Sequence, residues 1–179
     1  MRLSQYLSVT LLAIAAAGAS GQSVNTSAER TSKSCTAAEY RQFDFWIGVW
    51  EVFDPTGKKV GDSRIERIND GCAVLENWSG AGGVTGKSLN VYDSADKQWH
   101  QFWVDSSGSR LNLDGHFANG KMVLASTTPD PSKPGAKITQ KISWSKIGDG
   151  SVRQVWETSN DAGKSWKTAF DGRYVRKPG

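Results

Sequence analysis

From Phe43 onward, apolar and polar residues alternate in short runs with the two-residue period of extended chain. Turn signals end these runs about every ten to fourteen residues: "DPTGK", "NDG", "GAGG", "DSADK", "DSSGS", the "NG" at Asn119 and Gly120, "PDPSKPGA", "GDG" and "SNDAGKS". Nine turns imply ten strands. No segment between them has the length or the 3.6 period of a crossover helix, so consecutive strands should pair antiparallel as a meander. Closing such a sheet on itself removes both open edges, which predicts an all-β, antiparallel up-and-down barrel; a two-sheet sandwich is the alternative. One run breaks the alternation, "FDFWIGVWEVFD" from Phe43 to Asp54, which is apolar on both faces.

Opposed residues in a meander have numbers that sum to a constant set by each turn, so centring the first five turns fixes a provisional register. One row then reads Trp50, Ser63, Trp78, Ser88, Trp103, Arg110. The next reads Gly48, Ile65, Glu76, Asn90, Gln101, Asn112, and a third Trp46, Arg67, Val74, Tyr92, Trp99, Asp114. One face collects tryptophans and Tyr92 around a polar band of Glu76, Asn90 and Gln101. The other collects Leu75, Leu89, Val91, Phe102, Val104, Leu111 and Leu113, with Arg64 and Glu66 near its start. Phe43, Phe45, Ile47 and Val49 fall on that second face and need a cover. Alternation alone leaves open which face points inward.

The first nineteen residues combine Arg2, an apolar run from Leu7 to about Gly18, and the small pair Ala17 and Ala19, the arrangement of a cleaved secretory signal. The run is shorter than the roughly twenty residues a membrane-spanning helix needs. Secretion, or export to a periplasm, is therefore expected. Residues 20–35 are polar and aperiodic and read as a flexible linker, leaving 36–179 as one barrel domain. In "TAAE", Thr36 is placed to cap a short helical turn with Glu39 reaching back to it.

Charge adds an exclusion. Without Arg2 the chain carries 21 basic and 18 acidic residues, a net of +3, and no basic run exceeds two residues, so the footprint of a nucleic-acid binder is missing. Cys35 and Cys72, in a chain routed to an oxidising compartment, are read as a disulfide adding about 3 to 4 kcal/mol. Two free thiols or a metal pair are the competing readings, the latter without CxxC or clustered histidines to support it.

The motif Gly48-x-Trp50 after a short helical turn resembles the opening of lipocalins and the wider calycin barrels, and "FDFWIGVW", "GKSLNVYD" and "QWHQFWVD" are similar to those of an uncharacterised family of secreted bacterial lipocalin-like proteins. The likeness runs from about Tyr40 to Lys177. It implies that Trp50 points inward and closes one barrel end, and so that the aromatic and polar rows line the interior. Ten strands also resemble nitrobindin, a haem-binding calycin relative, but His100 and His116 are the only histidines and His100 falls on the outer face, so no haem or other cofactor is expected.

Within that frame a small hydrophobic or amphiphilic ligand is expected against Trp50, Trp78, Tyr92, Trp99, Trp103 and Trp156, with Glu76, Asn90 and Gln101 orienting it and Gln154 adding to the wall. If the barrel catalyses anything, Glu76 is the acid or base, since desolvation would raise its pKa; otherwise Asn90 and Gln101 satisfy its oxygens. No nucleophile elbow, metal cluster or phosphate cradle is present, and "GAGGVTG" reads as a lip of the barrel mouth. "SNDAGKSW" fits the Asp-box hairpin of sialidase-type propellers in a single copy and is read as a stiffened turn. The outer patch around Leu89, Phe102 and Leu111 suggests a homodimer or another protein partner.

Overall fold

The computed structural model describes residues 35–177, so the expected signal segment and most of the linker lie outside the described residues. Ten strands follow one another: β1 Gly48–Phe53, β2 Lys59–Ile68, β3 Ala73–Gly80, β4 Thr85–Asp93, β5 Gln98–Asp105, β6 Arg110–Ala118, β7 Lys121–Pro129, β8 Lys137–Lys146, β9 Val152–Ser159 and β10 Lys167–Arg176. Each pairs antiparallel with its neighbours, and β1 pairs with β10 to close the barrel. Among the described residues no helix is long and apolar enough to cross a membrane.

The turns owe their shape to aspartate. Asp54, Asp105, Asp130 and Asp149 each accept the backbone N–H two residues on, and each also accepts the hydroxyl of the Thr or Ser there. Bonds to an ionised carboxylate hold Asp149 down to about 2. The Asp-box-like turn works the same way: Asp161 accepts from the hydroxyls of Ser159 and Ser165, and Trp166 receives the Lys141 ammonium 3.7 Å from its ring centre.

Most of the expected register holds, with two departures. The β3–β4 pairing is displaced by two residues, so Glu76 faces Ser88 and Trp78 faces Gly86; the shift is even and every side chain keeps its side. The β5–β6 pairing is displaced by one, with Trp103 opposite Leu111 and Gln101 opposite Leu113. The cause is Gly108, whose left-handed φ of 84° closes a loop with a single central residue, Ser107. An odd shift inverts the strand. Leu111 and Leu113, expected outside, therefore point inward, and Leu113 is fully buried.

The doubly apolar stretch has a related explanation. Strand β1 starts only at Gly48, whose φ of 151° turns the chain, and the residues before it form two single 3₁₀ turns, Ala38–Arg41 and Asp44–Trp46, that fold under one barrel end as a plug. Phe43, expected outside, is completely buried: it stacks on Trp46 at 4.9 Å and meets Trp144 edge-on at 5.2 Å. Phe45 packs against Phe117, and only Val49 of the four faces solvent. Thr36 does not cap the first turn; Ala37 holds that position without a side-chain bond.

Cys35 and Cys72 are disulfide-bonded and tie the plug to the start of β3, while Arg41 donates to the carbonyls of Cys35 and Gly71. Asp44 pairs with Arg67 of β2. Indole N–H groups complete the attachment, Trp50 donating to Trp46 O at 2.9 Å and Trp99 to Gln42 Oε1 at 3.1 Å. On the outer wall Leu75, Leu89 and Phe102 form one cross-strand row, and Leu89 and Phe102 are among the most exposed large apolar side chains.

Candidate functional site

Beyond the plug, the other half of the barrel encloses a cavity of about 200 Å³. Its walls are aromatic because two close approaches of backbone to ring make room. Trp78 lies across Gly61 of β2, where an added Cβ would fall 2.5 Å from the ring, and Trp103 lies across Gly86 of β4, where it would overlap the indole. With no side chain at either glycine, both rings have room along the cavity wall. Phe170 of β10 meets Trp78 edge-on at 6.0 Å, and Trp156 of β9 is held by its N–H donating to Gln140 Oε1 at 2.7 Å.

The floor is polar on one side. Glu76 is buried, and its two oxygens accept from Ser63 Oγ at 2.9 Å and Ser88 Oγ at 3.0 Å. Burial raises its pKa to about 7 against the pull of those two bonds. Asn90 and Gln101 do not bond to it, contrary to expectation. Asn90 Nδ2 donates to Val74 O and Ser88 Oγ, and Gln101 Nε2 donates to Asn90 Oδ1 at 2.8 Å, so the amides support the serine that serves the carboxylate. Displacement of β4 by two residues accounts for the change, since it brings Ser88 rather than Asn90 opposite Glu76. Across the floor, Tyr174 donates to Gln154 Oε1 at 2.5 Å, and burial, with a smaller contribution from Glu76, keeps its phenol neutral well above its usual range.

Of the residues expected to bind ligand, Glu76, Trp78, Gln101, Trp103 and Trp156 line the cavity. Trp50, Tyr92 and Trp99 belong to the plug end: Trp50 packs on Tyr174 and beneath Arg176, and Tyr92 packs on Tyr40 and Trp99. Asn90 sits behind Gln101 as its acceptor. The register reasoning stopped at the fifth turn and so missed Trp144, Phe170 and Tyr174, although alternation in "KISWSK" and "FDGRYV" marks them as members of one face. Trp144 forms the boundary with the plug, its indole N–H buried without a protein acceptor.

Both histidines lie on the outer side of the wall. His100 bonds Asp114 at 2.6 Å and Asp96 at 3.0 Å, and His116 is exposed opposite Val123. Asp93, Asp96 and His100 stand close enough to share an ion, but both ring nitrogens of His100 already meet carboxylates.

Fold and cavity together define a closed ten-stranded meander barrel with an aromatic-walled, acid-floored interior. No protein-family model matches the chain, and no curated protein was found to match its sequence.

Proposed function

We propose that this chain is a calycin-like carrier, exported from the cell, that binds a small amphiphilic molecule inside the barrel. The observation that carries the reading is the pairing of an indole-lined wall with a one-sided polar floor in a cavity of about 200 Å³. An engineered cavity of roughly 150 Å³ suffices for benzene, so the occupant has a body about the size of one ring with a short polar substituent. Its apolar part lies between Trp78, Trp103 and Trp156, and its polar end reaches Glu76 and Gln101. Export fits the disulfide. The test is titration of single-ring alcohols while tryptophan fluorescence is followed. Trp156→Ala should weaken binding by about tenfold, the loss of one stacked aromatic contact, and absence of any saturable response from the wild type would overturn the proposal. A buried carboxyl near neutrality also suits acid–base catalysis, and turnover that Glu76→Gln abolishes while leaving affinity intact would favour an enzyme.

A second reading concerns the outer wall and takes a second copy of this chain as its occupant. The apolar row Leu75, Leu89, Phe102 is bordered toward the cavity mouth by Lys87 and Arg110 and toward the plug by Asp93, Asp96 and Asp114. A two-fold axis through Leu89 sets each copy's cations against the other's anions. Phe102→Lys should then halve the mass in solution, and a wild type that sediments as a monomer at high concentration would remove the idea.

A further inference from the structure

Hydrogen-bond directions at the cavity floor specify the polar end of the ligand. They can be read from one fixed point, the carbonyl of Val74, which can only accept. Asn90 must therefore present its Nδ2 there, at 3.1 Å. The same nitrogen donates to Ser88 Oγ at 3.0 Å, which commits the one Ser88 proton to Glu76 Oε2. Asn90 Oδ1 is then an acceptor and draws Gln101 Nε2 to 2.8 Å, leaving Gln101 Oε1 on the cavity side. Ser63 donates to the other Glu76 oxygen. The wall built by β3 and β5 thus offers a carboxyl group and a carbonyl oxygen, while the Ser63 and Ser88 hydroxyls and the Asn90 amide have their protons committed and Gln101 Nε2 has one of its two committed to Asn90.

Charge agrees with direction. Among the described residues no lysine, arginine or histidine lines the cavity, and Glu76 is its one acidic group. The remaining wall includes Trp78, Trp103, Trp144, Trp156 and Phe170, whose ring faces carry negative potential and attract a cation. On the opposite side the Gln154 amide nitrogen is an uncharged donor, suited to a neutral acceptor elsewhere on the ligand and no obstacle to a cation.

We propose that the pocket selects a cationic amine, its ammonium group seated on Glu76 and Gln101 and its ring-sized apolar body held among the indoles. This rests on the ligand-binding reading above and adds the charge of the ligand. A carboxylate ligand would meet Glu76 with like charge. An alcohol of the same shape would fit but would forgo the charge-assisted hydrogen bond to a carboxylate whose two oxygens are already oriented by serines.

The test uses three molecules of one shape, 2-phenylethylamine, 2-phenylethanol and phenylacetate, titrated calorimetrically against the disulfide-bonded protein near pH 8. The amine should bind about tenfold or more tighter than the alcohol, the margin of a charge-assisted over a neutral hydrogen bond, and phenylacetate should bind more weakly than both. Glu76→Gln should bring amine and alcohol to similar affinity, and an unchanged circular dichroism spectrum reports that the variant is folded. Independently of any variant, the wild-type preference for the amine should shrink as pH falls below 7 and Glu76 takes up a proton; Tyr174, Gln101, Ser63 and Ser88, which face it from the surrounding strands, stay neutral over that range. Equal affinity of alcohol and amine in the wild type, or a preference that survives both Glu76→Gln and acidification, overturns the amine assignment and leaves the carrier reading standing. Failure of all three molecules to bind overturns both.

Discussion

Glu76 makes a prediction about stability that requires no ligand. Its pKa rises from an ordinary 4.5 in the unfolded chain to about 7 in the barrel. Between those values the folded state holds a proton that the unfolded state has released, so stability must fall as pH climbs from about 4.5 to about 7 and level off above. The displacement corresponds to about 3 kcal/mol between the two ends of the window. Other groups titrate over the same range, so the comparison has to be differential. Urea unfolding of wild type and Glu76→Gln should be measured near pH 4.5 and near pH 8, taking the difference between the proteins at each pH. Glutamine imitates the protonated acid and cannot ionise. Its effect relative to wild type should therefore become more favourable by about 3 kcal/mol on going to the higher pH. If that difference is the same at both pH values, Glu76 does not sit desolvated between Ser63 and Ser88, and the account of the cavity floor fails with it.

Other consequences can be checked separately. Replacing Cys72 with serine opens a link that spans 37 residues and should cost about 4 kcal/mol in chemical unfolding; an unchanged midpoint would mean that the plug is held without it. Gly86→Ala should displace the Trp103 indole into the lumen, lowering stability by about 1 to 3 kcal/mol and abolishing small-molecule binding, whereas unaltered binding would show that the ring does not rest on that glycine. The pKa of His100 is raised because Asp114 and Asp96 together outweigh the opposing effect of its partial burial, so Asp114→Asn should move its NMR titration to lower pH; no movement would refute the pairing.

What the sequence made legible was set by how each turn counts. The short "NDG" turn aligns β2 with β3 and so puts Glu76 on the face of Trp50, and the calycin-like Gly48-x-Trp50 opening turns that face inward. At "GAGGVTG" the even displacement kept the faces, so the tryptophans and Gln101 stayed inward while the carboxyl's true partners, Ser63 and Ser88, were passed over for amides. At "DSSGS" a single left-handed glycine changed the parity and turned Leu111 and Leu113 over. Alternation cannot report such an inversion, because a strand flanked by apolar residues on one side and polar on the other reads the same in both orientations. Beyond the fifth turn the long proline-rich loop and the irregularity between Thr168 and Phe170 defeat simple counting, so alternation groups Phe170 with Tyr174 on one face of β10 without setting their register against β9. Phe43 was misplaced for a different reason: a strand pattern continued through Gly48, and only the backbone angle there reveals that the chain has left the sheet.

The plug is anchored at both of its ends, at Cys35 through sulfur and at Gly48 by running directly into β1. A segment sewn down on two sides cannot swing aside as a trapdoor. On the carrier reading a ligand would enter by the far rim, and the barrel is a cup with a stitched base.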